Sequence, residues 1–489
     1  VPALTIAWHH DVGRVGAVAP LGPGTTEISR RTPPFDSATD VALSRNPFLV
    51  VEHRDGQVEL RRPAGTSTSI EVDGTALGQA RLVTKAQLEE GVMIAIADAI
   101  VVCLHRLRVP VLRGPAFGLV GASDAMESVR RQIAQVADLD VPVLIRGETG
   151  TGKEMVARAI AAGSGRAEPF VAVNMAAVPP STAAAELFGH ERGAFTGATE
   201  TRPGYFGEAD GGTLFLDEIG ATPPDVQPML LRTLETWEVR PLGGRKARKV
   251  RVRLVTATDA DLDAAVKRGQ FSEPLLHRLS GYQIALPPLR ARREDIGPLF
   301  LHFLEQELAT TSELDRLEPR EPTLRPWLGA RDAARLFGGT WPGNVRRLRN
   351  VARQLVISSR GRPFAEIDMT LRDLVTASTV ATTTVTPPRS VRQGRVTDEE
   401  IWDALVTHDF NHAAAAEALG IHRSTLYERL EANPQGLRTA AQLTDDEILR
   451  AFERHGKDIT AMARELHCSP KPLKSRLTAA LKSRPKGGQ

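Results

Sequence analysis

Cysteine is nearly missing: the chain has two in 489 residues, Cys103 and Cys468. They lie far apart, so the spacing holds neither a disulfide framework nor a metal-ligand cluster, and a reducing compartment is expected. Long apolar runs are missing too. The longest, around Val92 to Leu104, is broken by Asp98 and falls short of the roughly 20 residues a membrane-spanning helix needs. The first residues show no basic stretch followed by a long apolar run, so no signal peptide is read there, and a cytoplasmic protein without membrane contact is expected. Charge of one sign is not in excess either. The 62 basic and 59 acidic side chains leave a net charge of +3, so the chain is no polycation, and any nucleic-acid binding must come from a local patch. What is present, 25% charged and 42% hydrophobic residues, suits globular protein, with roughly two to four domains for this length.

Residues 1–107 alternate apolar and polar positions, as in Phe48-Leu49-Val50-Val51-Glu52 and Gln57-Val58-Glu59-Leu60, with Gly and Pro punctuating them. Short strands in a β-sandwich are predicted. A Pro- and Gly-bearing joint runs from Val109-Pro110 to Gly114-Pro115. From 116 to 290, apolar strands such as Val141–Ile145 and Leu214–Leu216 alternate with helical stretches such as Glu154–Ala162 and Val226–Leu234. That is the α/β pattern with a mostly parallel sheet. Residues 291–360 read as helices, and 378–396, with Thr-Thr-Thr-Val-Thr-Pro-Pro, as a linker. An internal repeat follows. Thr397-Asp398-Glu399-Glu400-Ile401 recurs as Thr444-Asp445-Asp446-Glu447-Ile448, and the same register pairs Ala404 with Ala451, Leu426 with Leu473, Arg429 with Arg476 and Leu430 with Leu477. So many matches in one register point to a duplicated helical unit.

The chemistry begins at Gly147-Glu148-Thr149-Gly150-Thr151-Gly152-Lys153, between a predicted strand and a predicted helix. Such a loop aims backbone N–H groups at phosphate oxygens, the helix dipole adds to their field, and Lys153 reaches the β- and γ-phosphates of ATP. Glu154 stands where the pattern usually has the Ser or Thr that touches Mg²⁺. The strand Thr213–Leu216 ends in Asp217-Glu218, which puts two carboxylates at the sheet's carboxyl edge. Beside a phosphate loop, Asp217 suits Mg²⁺ and Glu218 the polarisation of an attacking water.

These motifs, together with Gly193-Ala194-Phe195-Thr196-Gly197-Ala198 after Glu186-Leu187-Phe188-Gly189-His190-Glu191, resemble the bacterial enhancer-binding proteins, the AAA+ activators of sigma-54 RNA polymerase. The resemblance is strong over 116–355. It implies an ATPase that cuts ATP to ADP and phosphate with Mg²⁺, and a surface loop, Gly193 to Ala198 with Phe195 as exposed anchor, that engages sigma-54. It also implies a homo-oligomeric ring of about six subunits. Asn174 resembles the residue that restrains the catalytic glutamate. Arg346, in Trp341-Pro342-Gly343-Asn344-Val345-Arg346, resembles the second sensor, and Arg278 an arginine finger for the neighbouring subunit's ATP. Three positions depart from the family. Ser272 stands at the other finger position, Asp259 replaces the first sensor's asparagine, and Arg347 replaces a glutamate. Slow or conditional hydrolysis is the expectation.

His10 to Gly16, Leu43 to Pro47 and Val72-Asp73-Gly74 resemble a forkhead-associated (FHA) domain, with Arg14, Ser44 and Arg45 at its phosphate-contacting positions. The resemblance implies binding of a phosphothreonine protein. The alternative is a sandwich used only for packing. Asn411 to Leu430 reads as helix, tight turn, helix and resembles the Fis-type helix-turn-helix, spanning 397–436. Arg423, Ser424, Thr425, Tyr427 and Arg429 are placed to face double-stranded DNA. The second copy, 440–489, carries Lys471, Lys474 and further cations that suit phosphate contacts. The expected function is a sigma-54-dependent activator gated by a phosphopeptide sensor. The rival is a phosphopeptide- and DNA-binding regulator that uses ATP only as an assembly switch.

Overall fold

The computed structural model describes residues 1–29, 48–63, 65, 68–97, 99–108, 116–166, 169–195, 198–317, 326–365, 367, 371, 419, 443–456 and scattered positions from 459 to 480. Val1–Ala381 and Thr382–Gln489 are two compact units.

The first unit opens with ten strands. These are β1 (Pro2–His9), β2 (Val18–Pro20), β3 (Thr25–Ile28), β4 (Phe48–Glu52), β5 (Val58–Arg61), β6 (Ile70–Val72), β7 (Thr75–Ala76), β8 (Ala80–Val83), β9 (Val92–Ile96) and β10 (Ile100–Arg106), with helix α1 (Lys85–Glu90) before β9. They form two antiparallel sheets, ordered β2-β1-β10-β9-β6-β7 and β3-β4-β5-β8. Leu4, Ile6, Val102 and Leu104 of the first sheet share one core with Phe48, Val50, Val58 and Leu60 of the second. The near-continuous apolar run of β10 has a reason: Val101 and Cys103 face the other way, into a second core, and a strand buried on both faces loses its alternation. In β1 the register slips between Ile6 and Trp8. That bulge turns Trp8 outward beside Ala7, whereas regular alternation would have sent it inward with Ile6.

The next part is a sheet of five parallel strands, ordered β12-β13-β16-β11-β17. The strands are β11 (Val143–Arg146), β12 (Phe170–Asn174), β13 (Thr213–Asp217), β16 (Arg253–Thr258) and β17 (Tyr282–Ala285), with a small hairpin of β14 (Glu238–Val239) and β15 (Arg248–Lys249). Side chains alternate between its faces. Phe215 and Val255 meet α2 (Asp124–Val136) and α3 (Lys153–Gly163). Leu214, Leu216 and Leu254 meet α4 (Ala183–Phe188), α5 (Gly204–Glu208), α6 (Gln227–Thr236), α7 (Leu262–Lys267) and α8 (Glu273–Leu279). The strand expected from Val141 starts at Val143, since Pro142 offers no N–H to a central strand.

Helices α9 (Ile296–Thr310), α10 (Ala330–Phe337) and α11 (Asn344–Ser358) form a lid. Its core is the one that β1, β9 and β10 enter. Trp8 meets Phe300 and Phe337 edge-on at 6.4 and 6.5 Å and donates from Nε1 to the Leu328 carbonyl at 3.0 Å. Helix α9 crosses β1 so closely that a Cβ on Gly297 would lie 2.0 Å from the Ala7 carbonyl oxygen. The sandwich and the lid are thus packed as one body.

In the second unit, α12 (Asp445–His455) starts where the repeat predicts, with a capping box between Thr444 and Glu447. Ala451, Leu473 and Leu477 lie in its core, so the repeated positions there are the packing positions. Residues 397–436 lie outside the described residues except Leu419. Among the described residues no helix is long and apolar enough to cross a membrane.

Candidate nucleotide site and its surroundings

Strand order places the site. Strands β13, β16 and β11 are neighbours, and each ends in a chemistry-bearing segment: Asp217-Glu218 after β13, Asp259 after β16 and the phosphate loop after β11. The three converge at the carboxyl edge, where parallel sheets bind ligands. A cleft of about 450 Å³ opens there, lined among others by Gly150, Lys153, Asp217, Glu218, Arg292 and Arg346.

The loop has the geometry its glycines foretell. Gly150 and Gly152 take φ of 78° and 106°, which only glycine adopts cheaply. A Cβ on Gly150 would meet the Gly343 carbonyl oxygen at 2.2 Å, so the lid's motif sits directly on the loop. Lys153 Nζ, nearly buried, donates to the Gly147 carbonyl at 2.9 Å and lies 3.5 Å from Glu218 Oε1. Glu154 turns to Arg158 at 2.7 Å.

On the catalytic side, Asp217 Oδ1 accepts from the Glu218 backbone N–H at 3.0 Å. Glu218 stands at φ 52° and ψ 48°, a left-handed conformation that costs a non-glycine residue about 1–3 kcal/mol and is concentrated at functional sites. Burial pushes its carboxyl above the usual range, Lys153 opposes this, and a hydrogen bond with the Asp259 side chain raises it further. Asp259 is held low, chiefly by the Thr149 hydroxyl that donates to it. Its own N–H donates to Glu218 Oε2 at 3.4 Å. Asp259 therefore bridges the phosphate loop and Glu218.

On the lid side, residues 290–295 act as a strap. Arg290 makes a two-pronged contact with Glu148 at 2.8 and 2.6 Å and holds that carboxyl below the usual range. Arg292, 2% exposed, donates to the Thr151 carbonyl at 3.1 Å. Arg293 turns the other way, to the Gly91 carbonyl at 2.6 Å and Asp73 at 3.4 Å in the sandwich. Asp295 accepts from the Ala122 and Ser123 N–H groups at 2.7 and 2.9 Å. Asn344 completes this side. Its Oδ1 accepts from Leu289 N at 2.7 Å, and its Nδ2 donates to Glu148 and the Thr149 carbonyl, each at 3.1 Å.

Several expected residues sit differently from their assigned roles. Asn174 pairs with Asp217 across the strands, but its Oδ1 accepts from Ala176 N at 2.9 Å, capping the next turn. No hydrogen bond joins it to Glu218 among the described residues. Arg278 holds the Leu234 carbonyl at 3.0 and 2.9 Å within its own chain. Ser272 caps α8 through Leu275 N, which explains a serine there. Arg14 ends a short 3-10 turn 3.5 Å from Asp11. Ser44 and Arg45 lie outside the described residues, as do Arg423, Ser424, Thr425, Tyr427, Arg429, Lys471 and Lys474. Phe195 is 43% exposed, as an anchor requires, with His190 at 5.1 Å. Gly193 N closes the loop on the Ala198 carbonyl at 2.8 Å, and Thr196 and Gly197 lie outside the described residues.

Comparison with known proteins bears on this geometry. The Sigma-54 interaction domain family matches residues 119–285, the AAA+ ATPase lid domain 290–383, and the bacterial regulatory protein, Fis family, 398–432. The DNA-binding transcriptional regulator NtrC of Salmonella typhimurium is 40% identical over 346 residues, covering 65% of this chain and 71% of that protein. The chain belongs to the sigma-54-dependent transcriptional activators. Another relative is the transcriptional regulatory protein ZraR of Escherichia coli, 42% identical over 322 residues, 66% of this chain and 70% of ZraR. NtrX from Brucella abortus, solved in complex with ATP, is 35% identical over 64% of this chain and 68% of that one, with a TM-score of 0.45. Like other sigma-54-dependent activators, this chain has an AAA+ ATPase as its central domain. Within that activator, sequence reasoning missed Arg290, Arg292 and Asn344 as parts of the site. The only signal for them was the dense charge of Arg290 to Asp295 and an asparagine inside a motif noted for its arginine.

Proposed function

We propose that the protein is an ATP-driven motor that binds DNA upstream of a promoter and remodels sigma-54 RNA polymerase through the Gly193–Ala198 loop. The single supporting observation is the union, in one domain, of the assembled cleft around Lys153 and Glu218 with a loop that presents Phe195 to solvent. Asp217 lines the cleft with one oxygen on a backbone N–H. Mg²⁺ keeps most of its waters and needs only one or two carboxylates plus phosphate, so the donor set fits. Bound there, Mg²⁺ would neutralise charge on the β- and γ-phosphates. Lys153 would bind the same phosphates, and Glu218 would take a proton from the attacking water. Arg346 acts from the lid, and Arg278, once released from the Leu234 carbonyl, from a neighbouring subunit in a ring. Transcription in vitro from a sigma-54 promoter tests this. Opening with ATP and none with a non-hydrolysable analogue is expected, and equal opening with both would sink it.

The bridge from Asp259 to Glu218 favours a second reading, in which ATP binding assembles the regulator and hydrolysis contributes little. Turnover no faster than that of Glu218→Gln would establish it.

The sandwich is proposed as an FHA phosphothreonine sensor. A Cβ on Gly56, in the β4–β5 turn, would lie 2.8 Å from Lys85 and 3.5 Å from Arg106. That puts the Glu52 end of the second sheet with the Arg106 end of the first. Arg14 therefore lies at the opposite end, where β3 ends at Ile28 and β4 begins at Phe48. Retention of a phosphothreonine peptide by wild type but not Arg14→Ala supports the sensor, and equal retention removes it. For DNA, Arg423, Ser424, Thr425, Tyr427 and Arg429 are proposed to face the duplex, with Lys471 and Lys474 on its phosphates. Arg476, the partner of Arg429, is spent on the Leu443 carbonyl at 2.8 Å and Asp445 at 3.1 Å.

A further inference from the structure

We propose that the β14–β15 hairpin is a second DNA contact in this chain, one that grips the phosphate backbone of a duplex without reading its bases. Val239 and Val250 root the hairpin in the core, and Glu238 pairs with Lys249 and Val239 with Arg248 across it. The part beyond that root carries Arg240, Arg245, Lys246, Arg248 and Lys249, and Arg251 follows; all six are exposed. Glu238 is the one acid among them, so this segment holds more positive charge than the whole chain's net of +3. Among the described residues none of the six forms an ion pair. Arg248 alone is committed, donating to the Pro203 carbonyl. Unpaired like charges at one tip repel one another and lower stability, so they gain a favourable partner only from a polyanion.

The position is as informative as the charge. Leu242 N donates to the Gly189 carbonyl at 2.9 Å, and Glu191 N to the Leu242 carbonyl at 3.0 Å. A Cβ on Gly243 would lie 2.9 Å from the Ala194 Cβ. The hairpin is therefore built onto the base of the loop that presents Phe195, and the two reach a partner together. The exposed cations are carried on long, flexible side chains along one hairpin. That suits evenly spaced backbone phosphates better than a folded acidic patch. A duplex carries one charge per roughly 1.7 Å. The Fis-family segment of the same chain already holds DNA, so a second, weak contact profits from a high effective concentration. An acidic peptide is the rival occupant.

Fluorescence anisotropy of the full chain on a short duplex of scrambled sequence, over a salt series, tests the proposal. The helix-turn-helix is silenced by Arg423→Ala, Ser424→Ala and Thr425→Ala. Salt-sensitive binding should persist in this background. Adding Arg240→Ser, Arg245→Ser and Lys246→Ser should lower the slope of log K against log salt by about 2 to 3, at about 0.9 per phosphate contact. ATP hydrolysis and the melting temperature should not fall, because these side chains touch neither the cleft nor the core. Arg240→Lys with Arg245→Lys should keep the slope. No residual binding in the silenced chain, or a slope that the serine variant leaves unchanged, overturns the proposal. So does a serine variant that loses poly-glutamate binding while keeping its duplex slope, which would assign the hairpin to an acidic protein surface.

Discussion

The nucleotide cleft has a lid wall and a catalytic wall, and they differ in how their polar groups are satisfied. On the lid wall several polar groups have fixed partners: Arg290 with Glu148, Arg292 with the Thr151 carbonyl, Asn344 with Leu289, Glu148 and Thr149. On the catalytic wall Glu218 and Asp259 compete for Lys153 and for a proton. The first wall is a preassembled clamp. The second is short of positive charge, and a nucleotide's phosphates would add negative charge to it. On the proposed function the lid wall serves nucleotide binding and Glu218 serves cutting, so the two should be damaged separately.

The largest expected effect is on cutting. Glu218→Gln should reduce ATP turnover by about 10²–10⁴-fold, the usual worth of a positioned general base, while a fluorescent ATP analogue still binds with near wild-type affinity. Loss of binding in parallel would mean that the two walls are not separable. Next comes the clamp. Asn344→Ala leaves the buried Leu289 N–H without its acceptor, a loss costing about 1–3 kcal/mol, and removes one donor from Glu148, which keeps Arg290. The expected outcome is weaker nucleotide binding, read by titration, with a turnover at saturation closer to wild type. A kcat collapse with unchanged affinity would place Asn344 on the catalytic wall instead.

Asp259→Asn sharpens the comparison from the other direction. It removes a negative charge from the phosphate end and a hydrogen bond that holds the Glu218 carboxyl up. Turnover should rise several-fold, by about 1 kcal/mol in the barrier, and the acid limb of the pH–rate profile should move to lower pH because Glu218 loses its proton sooner. An unchanged acid limb would show that Asp259 does not act through Glu218.

Sequence reading was good where function is local. The glycine-rich loop, the helix expected from Glu154 and observed from Lys153, and the strand expected to Leu216 and observed to Asp217 follow from short segments whose backbone needs are stated by glycine, lysine and periodicity. The parallel sheet was equally legible, since apolar strands alternate with helices. What was not legible is contact between distant segments. Arg290 lies 142 residues from Glu148, and Arg293 lies 202 residues from Gly91, so no spacing rule links them. Trp8 reaches the lid because of a bulge, which alternation alone assigns to the wrong face. Asn174 is a further case. Expected to restrain Glu218, it lies beside Asp217 across the strands and caps its own turn at Ala176.

The smallest effect concerns the strap that joins the clamp to the sandwich. Burial, with Asp295 next to it, pushes the Glu294 carboxyl up to about 8. Arg292 opposes this and Asp124 adds to it. An unfolded glutamate titrates near 4.3, so the folded chain binds the extra proton. Its contribution to stability is full below the unfolded value and is lost as pH rises through the folded one. Glu294→Gln keeps the neutral shape and removes the titration. The variant should therefore melt close to wild type near pH 5 and somewhat above it near pH 9, where wild type must carry a half-buried charge. Because Arg293 of the same strap holds the sandwich, the shift should be accompanied by slower hydrogen exchange at Gly91 and its neighbours at high pH. Equal melting temperatures across the pH range would show that Glu294 ionises freely, and that the joint between sandwich and strap is looser than its contacts suggest.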